Sequence, residues 1–380
     1  MNKTFWKNKK ILVTGGASFI GSHLVDALVS QNLDVRIVDD LSSGTLENIK
    51  DHVNKKSIKF IKGDLRKTSV AKKAVSGINL IFHLAGDHGG RGYVDSHQAG
   101  PATNMALDGN LFWQARRANV EKIVFASSGC VYPNFLQENT QEKLYLKENQ
   151  VGPPYDADNM YGWAKLMAEM TLRAYHKDWG MKAASCRFFV VYGPRGKEDH
   201  AVMAMIAKAF IKQNPFIVWG NGRQIRNWTY VDDIIDGLIL AAEKIDDVTS
   251  INLGNMERLS VLDTAKMILE YSGHRAKIEL HPEMPTGPAN RVADAGLAQK
   301  LLGWKPKVKF AEGLKKTIDW YFATKDPKEV ARILDIALIE RKVKVKFSPG
   351  YKNKYAGGGN TYRRSKWLVN SQVLQEITPT

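Results

Sequence analysis

The stretch Val13-Thr14-Gly15-Gly16-Ala17-Ser18-Phe19-Ile20-Gly21 restricts the fold of this chain more than any other. It follows a β-rich run at 10–14 and opens a helical pattern at 20–30, and Asp39 closes the next β-rich run. Glycines alone are a weak sign. A strand before them, a helix after them and an acidic end to the second strand make a dinucleotide-binding unit. The glycines permit a tight turn and a close backbone approach to a pyrophosphate, which sits on the N–H groups of the helix start. Gly15, Ala17, Ser18, Phe19, Ile20 and Gly21 are therefore the candidate cofactor contacts. Asp39 would accept hydrogen bonds from the adenosine ribose hydroxyls. A carboxylate there repels a 2′-phosphate, which selects NAD over NADP.

The rest of the first half keeps the same rhythm. Short β-rich runs at 35–39, 58–61, 80–84 and 123–126 alternate with helical patterns, before a long helix at 160–179 and a strand at 183–188. This predicts an α/β fold, a doubly wound parallel sheet of the Rossmann type with a second, smaller mixed α/β substrate lobe. Residues 1–188 are assigned mainly to the NAD-binding domain and 189–326 mainly to the lobe, the two interleaving. Residues 327–380 are read as a basic, flexible C-terminal extension, with Gly357-Gly358-Gly359 as its most pliable part. Asp64 and Leu65, after the third strand, fall where an adenine edge would lie. Leu84, at the end of the fourth, joins the cofactor side.

Two of the 380 residues are cysteines, too few for a disulfide framework, so a reduced, cytoplasmic setting is expected. No apolar run reaches the roughly 18 residues of a membrane helix, and the basic start leads into a strand without a signal-peptide core. The net charge of +16 invites a nucleic-acid reading. However, residues 331–380 carry ten Lys and Arg against three Asp and Glu, so much of it lies at one end. The remainder suits a surface that attracts an anionic diphosphate ester. Neither a membrane nor a nucleic acid is expected as partner, and no metal site is read.

Tyr161-Gly162-Trp163-Ala164-Lys165 places a phenol and an ammonium on one helical face. A phenol titrates near pH 10, and a neighbouring ammonium together with a cationic nicotinamide would favour the phenolate. Ser127-Ser128, ending the fifth strand, supplies a hydroxyl that can share the same substrate oxygen. Ser128, Tyr161 and Lys165 are thus the candidate catalytic triad. With these stand Arg187-Phe-Phe-Val-Val-Tyr-Gly-Pro194 and Arg226-Asn-Trp-Thr-Tyr-Val-Asp-Asp233. In this order the motifs resemble the extended short-chain dehydrogenases, the family of nucleotide-sugar epimerases, dehydratases and decarboxylases, over roughly residues 8–325. The resemblance implies tightly held NAD, transient oxidation of a sugar carbon, and a homodimer formed through helices at about 101–119 and 160–179.

Three local features narrow the implied chemistry. Ser128-Gly129-Cys130-Val131-Tyr132-Pro133 lacks the Asp-Glu pair of the family's dehydratases and is similar to the corresponding runs of GDP-mannose 3,5-epimerases and GDP-fucose synthases. The same two groups carry a Gly-Gly where Gly89 and Gly90 stand, and there the glycines would admit substrate close to the backbone. Glu198-Asp199-His200 resembles the segment that supplies a second acid/base, with His200 on that position and Lys197 as its rival. Thiol and imidazole, with ordinary pKa values near 8.5 and 6.5, are matched to moving protons at neutral pH. Cys130 and His200 are the candidate pair, and Arg226 the candidate diphosphate clamp. Val190 replaces the family's usual asparagine. The expected activity is epimerisation at C3 and C5 beside a transient C4 ketone, with a GDP-hexose favoured. A UDP-hexose or UDP-uronate 4-epimerase is the rival, supported by Asp40-Leu41-Ser42-Ser43-Gly44. A non-enzymatic dinucleotide sensor or RNA binder is a third reading, opposed by the intact Ser128, Tyr161 and Lys165.

Overall fold

The computed structural model describes residues 1–340. Seven parallel strands form its central sheet: β1 Lys10–Thr14, β2 Asp34–Asp39, β3 Ile58–Lys62, β4 Leu80–His83, β5 Lys122–Ser128, β6 Lys182–Phe188, and a seventh, Asp247–Leu253. Their spatial order is seventh, β6, β5, β4, β1, β2, β3. The chain therefore winds outward from β1 in two directions, and the crevice opens where β1 meets β4, with Thr14 beside His83. Side chains alternate across the sheet. Ile11 and Val13 face one apolar layer, which includes Leu24 and Val25 of the helix Phe19–Val29. Leu12 faces the other, with Phe112 of the helix Asn104–Arg117 and Ala168 of the helix Asn159–Trp179. Every residue of β5 is buried, as befits a strand covered on both faces.

The lobe is built from small pieces. Phe216–Trp219 pairs in parallel with Ile278–His281, and Ile225–Arg226 lies between Leu259–Ser260 and Asn290–Arg291. The seventh sheet strand and the helix Val231–Lys244, whose buried face includes Ile234 and Leu238, fall within 189–326 but complete the sheet layer.

The extension after residue 326 departs from the expected flexible tail in its first part. Pro327–Ala337 is a helix, capped by the Asp326 carboxylate accepting from the Lys328 and Glu329 N–H groups, with proline in the first turn. Val330, Leu334 and Leu338 are buried in the main core. Gly357-Gly358-Gly359 and the basic stretch around it lie outside the described residues. Among the described residues no helix is long and apolar enough to cross a membrane.

Candidate active site

The glycine loop is closed by its own packing. Gly15 has φ +70°, and a Cβ there would stand 2.9 Å from the Ala85 nitrogen. At Gly21 a Cβ would lie 2.1 Å from the Gly15 carbonyl oxygen. Only glycine lets the helix Phe19–Val29 start so close to the turn, which aims its first N–H groups into the crevice. One cavity beside this loop is lined by Gly15, Ser18, Asp39, Asp64, Leu65 and Leu84. Asp39 is buried there and accepts from the Ala17 N–H at 3.0 Å and the Leu41 N–H at 2.8 Å. Ser18 hydrogen-bonds the same carboxylate, which keeps one acceptor position for a ribose hydroxyl, and burial pushes this carboxyl above the usual aspartate range. Asp64 lines the same cavity, its carboxylate accepting from Arg66 Nε at 3.0 and 3.1 Å. The donor set, the helix start and the glycine cradle fit NAD.

A second, larger cavity continues from the first, sharing Gly15, Ser18, Ser43, Leu84 and His88 with it. It brings together Ser128, Cys130, Tyr161, Lys165, Gly89, Gly90, His200 and Arg226, residues drawn from five separate parts of the chain. Ser128 ends β5, hydrogen-bonds Tyr161, and accepts from the Cys130 N–H at 3.1 Å. Lys165 donates to the Ala126 carbonyl at 2.8 Å and lies 5.8 Å from the centre of the Tyr161 ring. Burial pulls its ammonium below the lysine range, opposed by the carboxylate of Asp108. Burial also pushes the Tyr161 phenol far above its ordinary value. The motif's expectation calls for the ammonium and a cationic nicotinamide together, and without the nicotinamide desolvation dominates. Beneath Lys165, Thr14 Oγ1 accepts from the Leu84 and Ala85 N–H groups and so donates to His83 Nδ1 at 2.7 Å. That leaves His83 Nε2–H to donate to Asp108 at 2.9 Å.

The sugar end contains groups that sequence motifs did not single out. Arg291 donates to the Cys130 sulfur at 3.2 Å, to Asp158 at 3.0 Å and to Gln137 at 2.6 Å. Arg91 also grips Asp158, at 2.8 Å. Arg226 is buried and, among the described residues, its hydrogen-bond partners are the carbonyls of Ile225 and Thr286, each at 2.8 Å. Burial, then the neighbouring guanidinium groups of Arg291 and Arg91, push it down to about 9. Such a cluster is relieved by a bound anion. The His88 ring stacks on His200, with centres 5.9 Å apart, and lies 6.3 Å from Tyr161. Lys197 lines the same cavity and donates to Ser43 at 3.1 Å, where the two cavities join. The glycine pair lines this cavity and is also required by packing. A Cβ on Gly90 would stand 1.5 Å from the Asp199 carbonyl oxygen, and one on Gly89 2.8 Å from Tyr93, so chain packing occupies that space. Among the described residues no three His, Cys, Asp or Glu side chains gather as a metal-binding group. Arg291 and His88 carried no local signal, because each acquires its meaning from a loop more than a hundred residues away.

Residues 11–254 match the NAD dependent epimerase/dehydratase family. The chain belongs to that family. It is an NAD-dependent enzyme of the epimerase/dehydratase type, with the doubly wound sheet of its relatives. Among curated relatives, the GDP-mannose 3,5-epimerase of Arabidopsis thaliana is 32% identical over 345 residues, 88% of each chain. Among solved structures, the UDP-glucose 4-epimerase of Thermotoga maritima with UDP-glucose superposes with a TM-score of 0.74 at 28% identity, covering 83% of this chain and 99% of that one. The UDP-glucuronic acid 4-epimerase of Bacillus cereus, with UDP-glucuronic acid and NAD, gives 0.73 at 29% identity, covering 82% and 98%.

Proposed function

We propose that this enzyme epimerises a nucleotide-diphosphate sugar, a GDP-hexose first among candidates, at C3 and C5 beside a transient C4 ketone. The observation that carries the reading is the presence of the Cys130 thiol and the His200 imidazole in one cavity with Ser128 and Tyr161. Bound NAD supplies a cationic hydride acceptor that can return what it takes. Tyr161 would remove the C4 hydroxyl proton, with Ser128 hydrogen-bonded to the same oxygen. A C–H bond next to the ketone is then acidic enough for a thiol or imidazole to exchange its proton. Inversion needs removal on one face and delivery on the other, the roles assigned to Cys130 and His200. The direction of Lys197 toward Ser43 favours His200 over Lys197 for the second role. Arg226, with Arg291 beside it, is assigned to the diphosphate. The cofactor would lie along Gly15, Ala17, Ser18, Phe19, Ile20, Gly21, Asp39, Asp64, Leu65 and Leu84, with Tyr161 and Lys165 at its nicotinamide end.

The similarity to the Arabidopsis 3,5-epimerase over most of both chains supports this reading. A UDP-sugar 4-epimerase is the second reading, favoured by the two superposed 4-epimerases. It would need Ser128, Tyr161 and Lys165 but no proton carrier at Cys130. We assign the enzyme a homodimeric state, through the helices Asn104–Arg117 and Asn159–Trp179, which expose Met105, Trp113, Trp163, Met167 and Trp179. A reducing cytoplasm suits its free thiols. Proton NMR in D₂O with GDP-mannose, UDP-glucose and UDP-glucuronate as separate substrates tests the chemistry. Deuterium at C3 or C5 of GDP-mannose is the expected result. A 4-epimer formed without deuterium would replace this reading with the second one.

A further inference from the structure

Two inversions on one sugar ask more of a site than one. Each inverted carbon, one on either side of C4, loses a proton from one face and gains another from the opposite face. The cavity holds a third group of suitable chemistry, His88, which the motifs left aside. It follows β4 on the segment leading into the helix Arg91–Ser96, and it lines both the cofactor cavity and the sugar cavity. Its ring centre lies 6.3 Å from that of Tyr161 and 5.9 Å from that of His200, the two imidazoles inclined by 28°.

The position of His88 is held from both sides. On one side the Asp87 N–H donates to Asn104 Oδ1 at 2.6 Å, and Asn104 Nδ2 returns a bond to the Asp87 carbonyl at 2.8 Å. On the other, the Gly90 N–H donates to Asp199 Oδ2 at 3.2 Å, and Gly90 leaves no room for a side chain against the Asp199 carbonyl. The same Asp199 precedes His200, so one clamp fixes the backbone beneath both rings. A loop that merely covered the cofactor would not need its histidine tied to the segment carrying the other one.

We infer that His88 and His200 divide the work, each imidazole exchanging the proton of one of the two carbons that flank the C4 ketone. The inference rests on the 3,5-epimerase reading and deepens it. At each carbon the Cys130 thiolate takes the proton, an S–H bond forming as the C–H bond breaks and its electron pair enters the enolate. The enolate carbon then forms a new C–H bond with the proton of one imidazolium, which is left neutral. The thiol returns its proton to water and water reprotonates the imidazole, so no oxidant or reductant is consumed.

The test is deuterium incorporation from D₂O into GDP-mannose, followed separately at C3 and C5 by proton NMR, for the wild type, His88→Gln, His88→Asn and His200→Gln. Transient nicotinamide absorbance, recorded in the same samples, shows that each variant is folded and still oxidises the sugar. The expected result is that both His88 variants lose incorporation at one carbon by about a hundredfold, keep it at the other, and that His200→Gln shows the opposite pattern. Equal rates at both carbons in the His88 variants, whether unchanged or both lost, overturn the division of labour while leaving the 3,5-epimerase reading in place. A wild type that makes a 4-epimer without any incorporation rejects that reading, and the role of His88 falls with it.

Discussion

Arg291 sets where the sulfur of Cys130 can be. Its Nε is held by Gln137 at 2.6 Å and one terminal nitrogen by Asp158 at 3.0 Å, so the remaining nitrogen, 3.2 Å from the sulfur, has little freedom. Asp158 is itself kept ionised. Burial works against its charge, but Arg291 and Arg91 outweigh burial and hold its carboxyl below the usual aspartate range. A thiol oriented by a buried, salt-bridged guanidinium is built for one direction of attack, which packing alone would not require. Replacing Cys130 by alanine should therefore reduce proton exchange at the sugar carbons by about a hundredfold or more, while hydride transfer, which uses Tyr161, continues. Tyr161→Phe should lose both. Exchange by NMR and nicotinamide absorbance in the same samples decide the matter, and wild-type exchange in Cys130→Ala would remove the thiol from the mechanism.

At the scale of elements, the helix Asn159–Trp179 carries the chemistry on one stripe. Tyr161, Lys165 and Glu169 follow at intervals of four, so they share a face. Gly162 lets that face approach the loop after β5, since a Cβ there would stand 2.3 Å from the Cys130 carbonyl oxygen. Glu169 docks the stripe. It meets Arg187 of β6 at 3.0 and 2.8 Å, Ser127 of β5 at 2.5 Å and Ser250 of the seventh strand at 2.9 Å, all three strands lying side by side. Burial disfavours its charge, but Arg187 and the hydroxyls prevail and hold its carboxyl below the usual glutamate range. The folded value is thus lower than the unfolded one, near 4.3. Its stabilising contribution is full above about pH 4.3 and fades as pH falls through the folded value. Glu169→Gln should cost about 3–5 kcal/mol at pH 7, because Arg187 is left buried and unpaired, and should flatten the acid limb of the stability curve. Urea unfolding from pH 3 to 7 measures both effects, and equal stability of the two proteins at pH 7 would show that Glu169 does not anchor the helix. The sequence revealed the spacing of Tyr161 and Lys165 because helical periodicity is local. It hid Glu169, whose partners come from three strands. It also hid the seventh strand, where only Ile251, Asn252 and Leu253 are buried and Asp247, Thr249 and Ser250 break the apolar run.

Across the whole molecule, the crevice at the β1–β4 switch point and the glycine loop were legible, since both follow from strand order and local turn chemistry. The closure of the lobe was not. Leu338, beyond the helix Pro327–Ala337, lines the sugar cavity, and its carbonyl would lie 2.5 Å from a Cβ on Gly92. A stretch that read as a basic tail therefore supplies part of the wall, because charge counts do not register four-residue spacings such as Val330 and Leu334. A surface on two other helices asks a similar question about packing. Trp113 and Trp179 sit on the two neighbouring helices Asn104–Arg117 and Asn159–Trp179, their rings 6.1 Å apart, with Trp163, Met167 and Met105 also exposed on these helices. Water would have to solvate this group of large apolar side chains in a monomer. Pairing the helices of two chains would bury it, and a stable interface of that kind covers about 1,200–2,000 Å². Sedimentation velocity should accordingly give the mass of two chains for the wild type. Trp113→Glu, which places a charge in the proposed interface but on an exposed position of the monomer, should shift the protein to the mass of one chain at micromolar concentration with its circular dichroism unchanged. A variant that still sediments as a pair would move the interface elsewhere, and a wild type that sediments as a single chain would mean these tryptophans serve the monomer alone.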